Sequence, residues 1–422
     1  MTSAAGPPEI VAEDIRIGEE RGGAVLSCRL RGSGLPARLW FEVPGEHAGS
    51  LAAGDAFLPP LLLAAMRRGA RLVIDGQVSA ALLRATPTIM EIFEQASPVI
   101  GRPMRAVGIE ASGRRPQPRG PAAGAFFSGG IDSFYTVLRN VARYGLDDPR
   151  RLTHLIAVHG FDVRLGDTAL FAQVQERLTS AARDLGALLV PVRTNARDVV
   201  HGIPWDYAHG AAMVGSGLAL GRLLHTCYIA GANSMRTSGF YGTHPGLDPL
   251  WSTEATEFVN DGPMLGKLVK APVVLESPVA LRTLRVCWEN RGGAYNCGQC
   301  EKCLRTMVVL TLCGALGRVQ TLPGVVDAEA IARLSIPPFL FNLWTGLRRQ
   351  LAATGRGVDL LPMVDRALSR NRRQHSWAGR AEAGLVRGLL RIGLPISRLL
   401  TMDERFLAGR GARAFRRLTG RR

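Results

Sequence analysis

From Ala122 onward, short runs of consecutive apolar residues alternate with segments of helical period, and this rhythm restricts the fold more than any other feature of the chain. AAGAFF, LTHLIAVHG, ALLVPVRTN and HTCYIAGAN read as strands with no polar face. The intervening SFYTVLRNVARYG, TALFAQVQERLTSAARDLG and WDYAHGAAMVGSGLALGRLL read as helices. Strands that are apolar on both sides belong in a parallel sheet covered by helices on both faces, an α/β doubly wound arrangement. Ligands of such sheets sit beyond the carboxyl ends of the strands. The loops after Phe127, His159, Arg193 and Ala230 are therefore the expected walls of a site.

The rest of the chain follows other patterns. Within residues 1–111, GGAVLSCRL, ARLWFEV and RLVIDGQV are rich in β-branched and aromatic residues, whereas PPLLLAAMRRG has helical spacing. An α+β accessory domain is expected there, with Cys28 as a buried apolar residue. SGRRPQPRGP, residues 112–121, cannot pack a core or sustain helical bonding and reads as a linker. Residues 122–330 then form the α/β domain and 331–422 a helical, arginine-rich segment. From Arg366 to Arg422, 15 arginines and no lysine face three acidic residues, so +12 of the chain's net +17 lies in that tail. GLVRGLLRIGLPISRLL (Gly384–Leu400) sets leucines against arginines at helical spacing. Contact with nucleic acid or another polyanion through 366–422, an acidic membrane surface, or a solvated helix packed on the protein all satisfy that pattern.

A hydrophobic content of 46% with 21% charged residues excludes a mainly disordered chain. No apolar run approaches the ~18–20 residues needed to span a bilayer. The N-terminal stretch has neither a basic start nor an apolar core, so no secretory leader is expected. Seven cysteines are too few for a disulfide scaffold, which points to a reducing, cytoplasmic setting.

The most informative local stretch is GAFFSGGIDSFYTVL, residues 124–138. A strand ends at Phe127, Ser128-Gly129-Gly130 turns, and a helix begins near Asp132-Ser133. Glycines let the backbone approach a ligand, and a helix N-terminus offers unpaired N–H groups and a positive dipole end, together an anion site. Backbone amides of Ser128, Gly129, Gly130, Ile131, Asp132 and Ser133, with the two serine hydroxyls, are the candidate donors. Asp132 would repel bare phosphate, so a bridging Mg²⁺ is expected. An ordinary strand–helix connection capped by Asp or Ser is the plainer alternative. The motif is neither a Walker loop nor GxGxxG.

CWENRGGAYNCGQCEKC places Cys287, Cys297, Cys300 and Cys303 within reach of one tetrahedral ion. Structural Zn²⁺ is the expected occupant, with an iron–sulfur cluster as the competitor.

SGGIDS in this strand–helix setting resembles the signature of the PP-loop ATP pyrophosphatases. That resemblance implies ATP cleaved between its α- and β-phosphates, with a carboxylate or carbonyl substrate adenylated on the way. Joined to CGQCEKCLR, it resembles more narrowly the 7-cyano-7-deazaguanine synthases, over about residues 122–315. The family's GxN motif corresponds to Gly231-Ala232-Asn233, and its lysine ahead of the cysteine segment to Lys267. The resemblance implies that Asp132 and Lys267 act at the reacting phosphates and that Gly231 and Asn233 contact nucleotide or substrate. His159, at the end of the second strand, is a candidate adenine contact or base, or a structural histidine. Where the family carries a Gly-Tyr-Pro-Asp-Cys-Arg type stretch, this chain has SGFYGTHPGLDPLWSTE, residues 238–254. Asp248 stands in for the family's aspartate, while its cysteine and arginine have no counterpart. Tyr241, His244, Trp251 and Glu254 give this loop a pocket-like composition, which an ordinary surface loop also explains. The expected activity is a C–N bond-forming ligase, its nitrogen donor coming from solution or a partner. A sulfur-transfer enzyme acting on tRNA and a non-catalytic ATP-sensing module are the rivals, and self-association into a homo-oligomer is left open.

Overall fold

The computed structural model describes residues 8–114, 117–231 and 240–374. Ten strands form one sheet: β1 Glu9–Glu20, β2 Gly23–Arg31, β3 Arg38–Pro44, β4 Arg71–Ser79, β5 Ile109–Arg114, β6 Ala122–Phe126, β7 Leu152–His159, β8 Leu188–Thr194, β9 Leu224–Ala230 and β10 Glu257–Asp261. Their order across the sheet is β10-β9-β6-β7-β8-β3-β2-β1-β4-β5. Six of the nine neighbouring pairs are parallel, and β1–β2, β2–β3 and β3–β8 are antiparallel. The protein is thus α/β, with a large, mostly parallel sheet flanked by helices.

Strand alternation sorts the apolar side chains onto two faces. Ala123, Ala125 and Phe127 of β6 and its end join one core, under the helices Ile131–Arg143, Thr168–Asp184 and Glu301–Leu312. Ala122 and Phe126 point to the other, under the helices Leu58–Arg68 and Trp205–Ala219. The chain leaves β6 toward β7 and β8, then returns to the far side of β6 for β9 and β10. The strand order therefore reverses at β6, and a crevice opens beyond the ends of β6 and β9.

The expected separation of an accessory domain does not hold. β3 adds antiparallel to the edge of β8, pairing Phe41 with Thr194 and Glu42 with Arg193. Asn195 locks this junction by accepting from Trp40 N at 3.0 Å and donating to Arg38 O at 2.8 Å. An unpaired edge strand is a liability, and here the first 111 residues cover it. Their helix Leu58–Arg68 shares one core with Trp205–Ala219. The expected linker is also partly strand, since β5 runs through Ser112 to Arg114 and pairs parallel with β4. At the other end, residue 330 is no boundary: Trp344, Leu347, Leu351, Leu360 and Val364 are buried in the second core. Residues 361–374 are helical, and the rest of the basic tail lies outside the described residues. No described helix is long and apolar enough to cross a membrane.

The junction depends on close backbone approach. A Cβ on Gly215, within the helix Trp205–Ala219, would sit 2.8 Å from the carbonyl oxygen of Ala56. Glycine-to-alanine within a helix ordinarily stabilises by about 1 kcal/mol. Gly215→Ala is expected to do the reverse, losing about 1–3 kcal/mol, because a backbone carbonyl cannot swing aside. Thermal unfolding checks this, and an unchanged or raised melting temperature would show that the two halves are not packed this tightly.

Candidate active site

A cleft of about 250 Å³ lies beyond the carboxyl ends of the central strands. Phe127 and Ser128 close it at the end of β6, Phe161, Asp162 and Val163 after β7, and Ile229 and Ala230 at the end of β9. The fourth wall comes from Trp205, Asp206 and His209 on the helix that follows β8, not from the loop directly after Arg193. Asp132 and Ser133 also line the cleft.

The turn takes the form its glycines suggest. Gly129 has φ +74°, and a Cβ there would lie 2.9 Å from Leu178 Cδ2. Gly130 is the N-cap of the helix Ile131–Arg143, and no side chain caps that end. The buried Ser133 spends its hydroxyl proton on Gly130 O at 3.0 Å, while Ser128 is exposed at the mouth. The Ile131 side chain is core, so it brings only its backbone to the site.

Asp132 and Lys267 are brought together as expected, with a second lysine. Lys267 Nζ is ion-paired to Asp132 Oδ2, and the fully buried Lys270 reaches Oδ1 at 3.2 Å. Burial alone would raise the Asp132 carboxyl, yet the two ammonium groups hold it below the usual carboxylate range. Burial pulls Lys267 below the ordinary lysine value, against the pull of Asp132. Both Asp132 oxygens are therefore occupied by cations of the chain itself. Asp132 does not fit the expected role of a Mg²⁺ ligand, because the charge that Mg²⁺ would have offset is already balanced. Lys270 also donates to Gly231 O.

Three other expected contacts fall elsewhere. His159 is buried, stacks on Phe171 with ring centroids 4.2 Å apart, and bonds through Nε2 to Arg164 O at 2.8 Å. It braces the loop after β7 and does not line the cleft. Gly231 is buried, packs where a Cβ would meet Asp261 O at 3.0 Å, accepts from Lys270 and does not line the cleft. Asp248, expected to be catalytic, is 1% exposed and accepts from His244 N at 3.0 Å and from Asn260 Nδ2 at 2.6 Å. It ties its loop to β10, away from the cleft. Asn233 lies outside the described residues. In the same loop Trp251 is core, and Glu254 accepts from Ser79 Oγ at 2.6 Å and Ala81 N at 2.8 Å, at the start of the helix Ala80–Gln95. Tyr241 and Thr243 are the loop residues that reach the cleft.

The four cysteines converge, their sulfurs all within 4.8 Å of one another. Cys287 and Cys300 Sγ are 3.8 Å apart, and Cys297 and Cys303 Sγ 4.0 Å. Four thiolates at ~2.3 Å from one tetrahedral ion would stand about 3.8 Å apart. The spacing fits a single ion such as Zn²⁺ and is too close for a cluster that spreads its thiolates over separate irons. Backbone N–H groups of Asn290, Cys300 and Cys303 point at Cys287, Cys297 and Cys300 Sγ from 3.3, 3.3 and 3.4 Å. Asn296 Oδ1 accepts from Val286 N and Cys287 N, fastening the first ligand.

Beside Tyr241, which the loop composition marks, the cleft is shaped by residues that sequence reasoning missed. Trp205 and Trp288 supply aromatic surface, and Asp162, Asp206, Arg285 and Lys302 supply charge. Burial raises the Asp206 carboxyl and pushes His209 down to about 4, so His209 is neutral near pH 7. Its Nδ1 faces Trp205 O at 3.1 Å and so carries the proton, which leaves Nε2 as the basic nitrogen. Arg285 and Trp288 flank Cys287, so the cysteine run itself was the available signal.

Two outcomes are expected. The purified protein carries one tetrathiolate-bound metal ion per chain, and Cys300→Ser loses it together with stability; elemental analysis finding iron with sulfide would overturn the single-ion assignment. The second concerns Asp248, which burial pushes up to about 6. Relative to about 3.9 in an unfolded chain, this favours the fold while the group is protonated; the contribution is complete below about pH 4 and lost as pH rises through about 6. Asp248→Asn keeps the site neutral, so its stability relative to wild type should rise between about pH 4 and about pH 7, by at most about 3 kcal/mol. A constant difference in melting temperature across that range would show that Asp248 is ionised throughout.

Set against protein-family models, curated proteins and solved structures, the chain matches none of them.

Proposed function

We propose that the cleft binds ATP with its phosphates on the Ser128–Ser133 turn and activates a small carboxylate or carbonyl substrate by adenylation. The observation that carries this reading is an uncapped helix N-terminus at the strand-order reversal, with Lys267 and Lys270 beside it. In this reading the carboxylate oxygen attacks the α-phosphorus, the bond to the β-phosphate breaks, and pyrophosphate leaves with the electron pair. Turn amides and Lys267 stabilise the charge that develops on it. A Mg²⁺ accompanying the nucleotide would add positive charge at the phosphates without needing Asp132 to hold it. A nitrogen nucleophile then attacks the acyl adenylate and releases AMP, and His209, which lines the same cleft, takes its proton. This is the chemistry that the resemblance to the PP-loop enzymes and 7-cyano-7-deazaguanine synthases implies. The different Tyr241–Trp251 loop argues for an acceptor other than a deazaguanine.

The sulfur-transfer rival needs a reactive cysteine in the cleft. Among the described residues none lines it: Cys227 is buried in the sheet with its thiol pushed far up by burial, and Cys313 lines a separate pocket with Leu268, Pro272 and Leu275.

Pyrophosphate release from ATP, screened against small carboxylates, tests the proposal. Lys267→Met leaves Lys270 to balance Asp132, so the variant should fold and keep its metal while turnover drops about 100-fold. ATP binding without pyrophosphate release under any acceptor would turn the reading to a nucleotide sensor.

A further inference from the structure

We propose that Arg285 and Trp288 form an oxyanion subsite of the cleft, held against the Ser128–Ser133 turn by the cysteine knuckle. Among the described residues four buried side-chain nitrogen or oxygen atoms have no hydrogen-bond partner: Trp251 Nε1, Asn260 Oδ1, Arg285 Nε and Trp288 Nε1. Two of them belong to residues lining the cleft, and both of those are donors. Unpaired buried donors are costly and rare, and two of them on residues that line one cleft point to a ligand that brings acceptors. Arg285 is 5% exposed and cannot shed its charge. Among the described residues its one side-chain hydrogen bond runs from Nη2 to Asn290 Oδ1 at 2.8 Å, and it forms no salt bridge there. A buried guanidinium without a counter-charge selects an anion, and its planar fork suits phosphoryl or carboxylate oxygens.

The place of these donors follows from the backbone. Arg285 N–H bonds Gly129 O at 2.8 Å, so the residue is fastened directly to the turn. A Cβ on Gly129 would touch Arg285 Cβ at 3.4 Å. Cys287 stands between the two donors, and its sulfur accepts from Asn290 N at 3.3 Å. An ion bound by the four cysteines fixes Cys287, and with it the direction from which Arg285 and Trp288 reach the cleft. The turn supplies backbone donors from one side and the knuckle supplies side-chain donors from the other. The assignment of this anion to ATP rests on the function proposed above; the subsite itself does not.

Calorimetric titration of the metal-loaded full chain with inorganic pyrophosphate, acetate and ATP tests the inference. Arg285→Gln should weaken pyrophosphate binding about tenfold or more, and Trp288→Phe, which keeps the ring and removes one N–H, should weaken it severalfold. Metal content and melting temperature should match the parent in both. If Arg285→Gln fails to fold, Trp288→Phe carries the test. Unchanged pyrophosphate and acetate affinity in the folded variants overturns the subsite even if ATP is bound and turned over. Pyrophosphate binding that depends on Arg285, in a chain that ignores ATP, keeps the subsite and removes the nucleotide reading. Arg285-dependent binding of acetate alone assigns the subsite to an acceptor carboxylate. Binding of none of the three overturns both.

Discussion

Burial of the central strands on both faces dictates where this protein can do chemistry. β6 sends Ala123 and Ala125 into one core and Ala122 and Phe126 into the other, so no charged group fits along its length. Polar function is pushed to the strand ends, where backbone amides run out of ladder partners. The reversal of strand order at β6 then parts the neighbouring crossovers and leaves a crevice that the loops line. The position of the cleft is a consequence of topology. Asp132 enters it because it is the second residue of the helix that starts there.

A carboxylate in that position is expensive unless it is paired. Lys267 and Lys270 lie three positions apart on one helix and so present their ammonium groups on the same side. Together they bring two positive charges to one negative, and the buried Arg285 adds a third near the turn. Asp162 and Asp206 also line the cleft: Tyr241 donates to Asp206 Oδ1 at 3.4 Å, Lys302 Nζ stands 3.8 Å from Asp162 Oδ2, and Asn290 joins the Asp162 carbonyl to Arg285. Both signs of charge therefore meet in the cleft, with the cations in excess around Asp132 beside the turn.

Much of this architecture was legible because its signals are local. The four apolar strands β6 to β9 and their helices follow from hydrophobic period, and the turn from two adjacent glycines before a helix. The cysteine spacing announces a metal knuckle in the same way. Other features depend on partners far away in sequence. The antiparallel addition of β3 to β8 pairs residues about 150 positions apart and has no local signature, so the first 111 residues read as a separate unit. β1, EIVAEDIRIGEE, carries too many charges to stand out as a strand, although its Ile10–Ala12 start is core. His159 and Asp248 had the residue types of a site, but Phe171 and Asn260 enclose them. Arg285 and Trp288 border the metal-ligand segment, and no residue pattern distinguishes them from ordinary neighbours of Cys287.

The knuckle also transmits order from the C-terminal helices to the cleft. Cys300 accepts from Cys303 N and caps the helix Glu301–Leu312. Glu301 pairs with Arg305 at 2.8 Å and accepts from Trp344 Nε1 at 2.8 Å, all three largely buried. An ion pair in that setting is strained by removal of either partner, so the register of the helix is tied to the packing of residue 344. The positive charge of Arg305 in turn helps lower the Lys267 ammonium. The Tyr241 side of the cleft is built differently: a Cβ on Gly210 would fall 1.7 Å from Gly242 O, so the loop carrying Tyr241 lies flat on the helix that carries His209. The turn side is thus set by a glycine turn and a cysteine knuckle with little freedom to vary, and the Tyr241 side by one loop pressed on one helix. Under the adenylation proposed above, the choice of acceptor would change through that loop without disturbing the charges around Asp132.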